Sequence, residues 1–342
     1  MQSLKYKEIK EEYLDRLDWH WVSSNPNAIY LLDKYPERIH WEYLSQNPNG
    51  VHLLENMLKH DPKKIDWYGL SQNPNGIPLL ERFPERIQWG YLSENPNGVH
   101  LLENMLMHGP EKINWYYLSA NPNAIHLLER FPERINWDWL SFNPNAIPLL
   151  ENMLMHDPEK INWKWLSRNP NGIPLLERFP ERINWEWLSF NPNAIHLLEN
   201  MLQHDPERIN WRFLSENPNA IPLLERFPEK ISWWYLSQNP NAIPLLERFP
   251  ERIQPTLSKN PNAVHLLKDA LKHCPEKIQW HYLSQNPSIM EIIGELDYAA
   301  MKKAIQPLAE ELAQRVNDPR RYRSPEEFIE RQIILGFRED TE

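Results

Sequence analysis

The sequence predicts an all-α solenoid, a superhelix of about 12 two-helix repeats, and three observations carry that prediction. The tripeptide Asn-Pro-Asn recurs from Asn25-Pro26-Asn27 to Asn260-Pro261-Asn262, with a degraded copy at Asn286-Pro287-Ser288. A tryptophan precedes each copy by six residues, at 19, 41, 67, 89, 115, 137, 163, 185, 211, 233 and 280, with Gln254 in that slot once. The spacing of these tryptophans alternates between 22 and 26 residues until two short repeats meet between Trp211 and Gln254. Self-similarity at such a period marks an array whose units bury their apolar faces only against one another.

Taken in order, residues 1–17 place Leu4, Ile9, Tyr13, Leu14 and Leu17 among charges at helical spacing, which predicts an N-terminal capping helix. Residues 18–288 form the repeats. Each first helix is expected to begin at the Pro-Glu turn, as at Asp157-Pro158-Glu159, and to run through the tryptophan to a residue such as Arg168. Proline then stops it, because it lacks an amide donor and pushes the preceding residue out of the α region. The second Asn of the tripeptide, Asn27 in the first copy, is read as the N-cap of the second helix. Proline at 78, 148, 174, 222 and 244 fits the first turn of that helix, where an amide has no intrahelical partner.

The two repeat lengths differ in one place. Short repeats read Leu-Leu-Glu-Arg-Phe-Pro, as at Leu79 to Pro84, and long ones carry four more residues, as at Leu149 to Pro158. Four residues are about one helical turn, so the second helix lengthens while its buried face keeps its heading. Helices this short are unstable alone, and burial of Trp, Leu and Ile against neighbouring repeats is expected to hold them. Residues 289–342 are read as a C-terminal helical cap, with helices over 289–294, 298–316 and 325–335, of the kind an open-ended stack requires.

The net charge of -10 and pI near 5.8 argue against a chain built to neutralise phosphates. The single cysteine, Cys274, permits no internal disulfide, and no apolar run approaches 18 residues. With no signal-peptide pattern after Met1, the expectation is a soluble intracellular protein that does not enter a membrane.

The string Trp-x-x-Leu-Ser-x-Asn-Pro-Asn-Ala-Ile-x-Leu-Leu-Glu, seen at Trp137 to Glu151, resembles the Asn-Pro-Asn tandem-repeat proteins of large DNA viruses of algae and amoebae. The tail, with Tyr298-Ala-Ala-Met301 and Pro307-Leu-Ala-Glu-Glu-Leu312, is similar to the ends of such proteins. The resemblance covers about residues 18–288. It implies the repeat architecture and a place in an infected host's cytoplasm or nucleus, or in the virion; it supplies no catalytic residues.

Nothing in the repeats reads as chemistry. The repeated serine (Ser23, Ser45, Ser71) precedes a helix end, where a hydroxyl bonds the preceding turn, and no Gly-x-Ser-x-Gly elbow accompanies it. His52, His100, His196 and His265 stand eight residues before His60, His108, His204 and His273. That spacing is two helical turns, about 12 Å, which is too far to share a metal ion, so a helix-dipole role is expected. No phosphate loop is visible. The reading is a non-enzyme without cofactor or metal.

Two slots per repeat vary freely: the residue after the tryptophan and the one four later, which share one face of the first helix. Candidate partner-binding residues on this stripe are Tyr68, Tyr116, Phe142, Lys164, Arg168, Phe190, Arg212 and Trp234. Its aromatic side chains are costly to leave in water and suit a recognition surface. A nucleic-acid reader taking one base per repeat through each residue pair is the alternative, but Glu42, Glu94, Asp138, Glu186 and Glu216 offset Lys164, Arg168, Arg212 and Lys259. A protein or peptide partner for a non-catalytic scaffold is therefore the expectation.

Overall fold

The computed structural model describes residues 9–295, which contain helices and turns and no strand. The expected helices over 298–316 and 325–335, and residues 1–8 of the N-terminal cap, lie outside the described residues; a short helix, Glu11–Leu14, lies within them. Glu12–Ile293 forms one compact unit, and Met1–Glu11 with Gly294–Glu342 forms another. The repeats belong to the first.

Each repeat contains two α-helices, and the first begins at the tryptophan rather than at the Pro-Glu turn. In the seventh repeat Ile161 (φ -76°, ψ 125°) and Asn162 (φ -83°, ψ 93°) are extended, so Pro158–Lys160 is a separate 3-10 turn. The side chain of Asn162 accepts from the N–H of Trp165 and starts helix Trp163–Arg168. Asp157 makes no capping bond. A polar residue just before the tryptophan therefore does the capping, as Asp66 and Asn114 also do. Second helices run for six residues in short repeats, such as Ile77–Arg82, and for ten in long ones, such as Val51–His60.

The Asn-Pro-Asn turn is a bolt between repeats. The first asparagine is buried, and its own carbonyl group takes the role expected of the second: Asn143 Oδ1 accepts from the Asn145 N–H at 3.0 Å. Its Nδ2 donates to two carbonyls of the preceding repeat, Ser119 and Asn121, each at 3.0 Å. Asn145 Nδ2 donates to the preceding repeat's Pro122 carbonyl at 2.9 Å. Asn27 and its equivalents are thus ties to the neighbour, and the second helices have no side-chain cap. Ser119 Oγ donates to Trp115 O at 2.7 Å, as the sequence suggests, and also accepts from the N–H of Asn136 in the next repeat at 3.0 Å.

These bonds recur where the chain meets itself. Asn25 Nδ2 donates to Ser284 O at 3.1 Å and to Asn286 O at 2.9 Å, Asn27 Nδ2 donates to Pro287 O at 3.0 Å, and the Asp18 N–H donates to Ser284 Oγ at 2.9 Å. Helix Trp19–Ser24 of the first repeat packs on Trp280–Gln285 of the last as any repeat packs on its neighbour. The repeats therefore close into a ring, where the sequence had suggested an open stack. At the seam the His281 Nδ1 and Asp18 Oδ2 atoms lie 2.9 Å apart. Burial alone would raise the Asp18 carboxyl, but hydrogen bonds with His281 and His20 outweigh it and hold the group below its ordinary value.

First helices of successive repeats pack closely, whereas second helices, apart from Val264–His273 and Ile289–Ile293, stand wider apart, so the first helices form the inner circle. Ion pairs link the outer circle. Where the second helix carries histidine in its first turn, that ring meets the preceding repeat's acid, as His100 meets Glu81 at 2.9 Å. Where proline stands instead, the helix's arginine often does so, as Arg226 meets Glu199 at 2.6 Å. A carbonyl of the last turn is met by His156, His204 and His273, with His204 Nδ1 2.8 Å from Asn200 O, whereas His52, His100, His196 and His265 meet acids of the preceding repeat. Exposed pairs of this kind contribute little each.

Leucine fills the core, with Leu44, Leu70, Leu118 and Leu140 fully buried. The leading tryptophans do not wedge between repeats. They are half-buried, and in short repeats each lies against the aromatic residue that closes its own repeat, as Trp115 lies edge-on to Phe131 at 5.6 Å. Only Trp280 is buried, under Tyr13 at 5.5 Å and the Arg16 guanidinium at 4.8 Å.

Candidate binding wall

The first helix presents one face to the core and the opposite face to the inside of the ring. Counting from the tryptophan, residues three, four and six later are the buried Leu, Ser and Asn. At about 100° per residue, residues one, two and five later point the other way. Electrostatics agree with an inner position for this face. Arg168 and Lys259, each two repeats away, both act on Glu216, as side chains that converge on the inside of a ring would. Burial pushes Glu216 above the usual glutamate value while these two cations pull it down.

The structure brings four of the sequence-predicted residues into one cluster. The Arg168 guanidinium lies 5.5 Å from the Phe142 ring, 4.8 Å from Phe190 and 5.4 Å from Trp187, and Lys164 Nζ lies 4.9 Å from Trp187. A cation over an aromatic face at such distances is an attractive arrangement. Phe190 also meets Phe213 at 6.2 Å, next to exposed Arg212. Tyr68, 53% exposed, sits edge-on to Tyr91 at 5.2 Å, away from that cluster. Tyr116 at 59% and Trp234 at 45% occupy the same wall in other repeats.

The sequence reading missed the slot two residues after the tryptophan. Its aromatic occupancy is regular rather than variable, so it was not singled out, yet Trp21, Tyr91 and Trp139 are exposed. Neighbours in this slot touch in series: Trp139 stacks on Trp165 at 6.3 Å, Trp165 meets Trp187 at 5.4 Å, and Trp187 meets Phe213 at 5.3 Å. Trp21 meets Tyr43 at 6.5 Å and, across the seam, His281 at 5.7 Å. The signal was present, since a slot two residues after the tryptophan and one before the buried leucine cannot share the leucine's face of a helix.

Two acids of the wall are tied to amides of the next repeat, and Glu94 accepts from Gln72 Nε2 of the preceding one at 3.4 Å. Asp138 accepts from Asn162 Nδ2 at 2.7 Å and Glu186 from Asn210 Nδ2 at 3.3 Å. Among the described residues no group of three or more His, Cys, Asp or Glu side chains could hold a metal ion, and no helix is long and apolar enough to cross a membrane.

The described repeats thus form an all-α ring of two-helix units with an aromatic inner wall. Comparison with protein-family models, with curated proteins and with solved structures finds no match.

Proposed function

We propose that this protein is a non-catalytic scaffold that holds an extended polypeptide along the inner wall of its ring. The observation that carries this reading is the row of touching aromatic side chains from Trp139 to Phe213, flanked by Lys164, Arg168, Arg212, Glu186 and Glu216. Aromatic anchors within a rim of mixed charge suit apolar and charged side chains spaced along one chain. Regular repeats offer such a chain the same footing at each step. The resemblance to repeat proteins of large DNA viruses supports a setting inside an infected host cell.

Bases stacking on the same aromatic row are the second reading. The acids between the cations weaken it, because phosphate binding draws on uncompensated positive charge. Fluorescence anisotropy at low salt, with a labelled unstructured aromatic-rich polypeptide and with mixed single-stranded DNA and RNA, separates the two. The polypeptide is expected to bind, and the combined variant Tyr116→Ser, Phe142→Ser and Phe190→Ser to lose that binding with its helical circular dichroism intact. Salt-sensitive binding of nucleic acid without binding of the polypeptide would overturn the proposal.

A further inference from the structure

The eleventh repeat differs from the other long repeats at one place on the outer side of the ring. In the second repeat, the step from a short repeat to a long one leaves a recess formed by Ile39, Trp41, Leu53 and Met57, and the fourth and sixth repeats repeat it with Trp89 and Trp137. The Lys64 ammonium lies 5.9 Å from the Trp41 ring. In the eleventh repeat both large fillers are missing. Ala270 stands in the place of Met57, and Cys274 in the place of Asp61.

The tryptophan slot itself has been deleted rather than filled by Gln254. The Gln254 N–H donates to Ser237 Oγ at 2.9 Å, the bond made elsewhere by the residue before the tryptophan. The asparagine ladder spans 21 residues here, from Asn239 to Asn260, against 22 from Asn217 to Asn239. Pro255–Lys259 consequently winds as a 3-10 helix. Ile253 shows the effect. Its counterparts Ile39, Ile87, Ile135, Ile183 and Ile231 are at most 8% exposed, while Ile253 is not buried.

The recess here holds about 530 Å³, against about 460 and 560 Å³ in the second and sixth repeats, but no indole or thioether lines it: Ile253, Leu257, Leu266, Ala270 and Ile278 form its apolar side, with Lys277 and Cys274 among the charged and polar residues at its border. That volume lies inside the range of roughly 300–1,000 Å³ usual for small-molecule sites. Lys277 is the counterpart of Lys64, the cation that lies near an indole in the second repeat.

We propose that this cavity binds a planar aromatic group of indole size, carried by a small molecule. The ring takes the position that tryptophan occupies in the other long repeats, rests on Ile253 and Ala270, and receives the Lys277 ammonium near its face. Cys274, the only cysteine of the chain, lines the cavity and reports on its occupancy.

Indole itself is the probe. The rate at which a thiol reagent modifies Cys274 is followed as indole is added, with isothermal titration calorimetry as a second readout. Indole is expected to slow modification saturably. Ala270→Met, which installs the residue other long repeats carry, is expected to reduce protection at least tenfold with unchanged circular dichroism, and Lys277→Ala to weaken it about threefold. The Tyr116, Phe142 and Phe190 variant of the inner wall is expected to bind indole like the parent, so the two proposals fail separately. Absence of saturable protection, or equal protection in Ala270→Met, would overturn the site.

Discussion

Asn143 shows why one residue type recurs at the inner turn of every repeat. Its side chain accepts one part-buried backbone N–H of its own turn and donates two buried hydrogen bonds to carbonyls of the preceding repeat. Only a primary amide offers one acceptor and two donors on a stem this short. Aspartate has the shape but not the donors, and would place a charge against two carbonyl oxygens. Losing the amide leaves the buried Ser119 carbonyl without this donor, removes one of two hydrogen bonds to the Asn121 carbonyl and frees the part-buried Asn145 N–H. Asn143→Ala is therefore expected to cost about 2–4 kcal/mol, measured as a lower urea midpoint, and Asn143→Asp at least as much at neutral pH. A loss below about 1 kcal/mol for both would show that the bolt contributes little.

At the scale of the helix, repeat length and helix periodicity are matched. A short second helix and a long one differ by four residues, close to one turn of 3.6, so both present leucine to the core. Deleting Asn56-Met57-Leu58-Lys59, which turns the second repeat into a short one, is expected to leave a folded ring with little change in melting temperature. Deleting Asn56-Met57-Leu58 alone turns the end of the helix by about 60° in the sense opposite to the roughly 40° of the four-residue deletion, and is expected to lower the melting temperature by several degrees more. This comparison also explains what could be read in advance. Repeat number, helix pairing and the length rule follow from spacing, which survives any error about individual contacts. The start of the first helix did not follow, because Pro-Glu is a good helix opening locally and only the extended Ile161-Asn162 pair shows that the turn is separate. The tryptophans misled for a related reason. An indole can be large and still half-exposed, and burial in a thin two-layer array falls to the leucines. Of the candidate site, Phe142, Lys164, Arg168 and Phe190 were found from their variability, while the aromatic slot beside them was hidden by its regularity.

For the ring as a whole, the first and last repeats recognise each other with the same asparagines used everywhere else, so nothing special had to evolve at the join beyond the right number of repeats. That number is not legible from one repeat. It depends on a small angle between neighbours, accumulated over the array, which sequence spacing does not encode. Asn25→Ala removes two of the bonds across the join. Hydrogen exchange is expected to rise in the first and last repeats of this variant and not in the sixth, whereas Asn143→Ala is expected to raise exchange around the sixth. Equal exchange at the join before and after the change would contradict closure in solution.

A linear array of repeats can unravel from either tip, one unit at a time, since a terminal unit is held on one side only. Here every unit has a neighbour on both sides, and the first unit to melt must give up two interfaces at once. Closure thus converts a ladder that could zip open gradually into an object with a threshold, in which partial melting is suppressed and loss of structure is concerted.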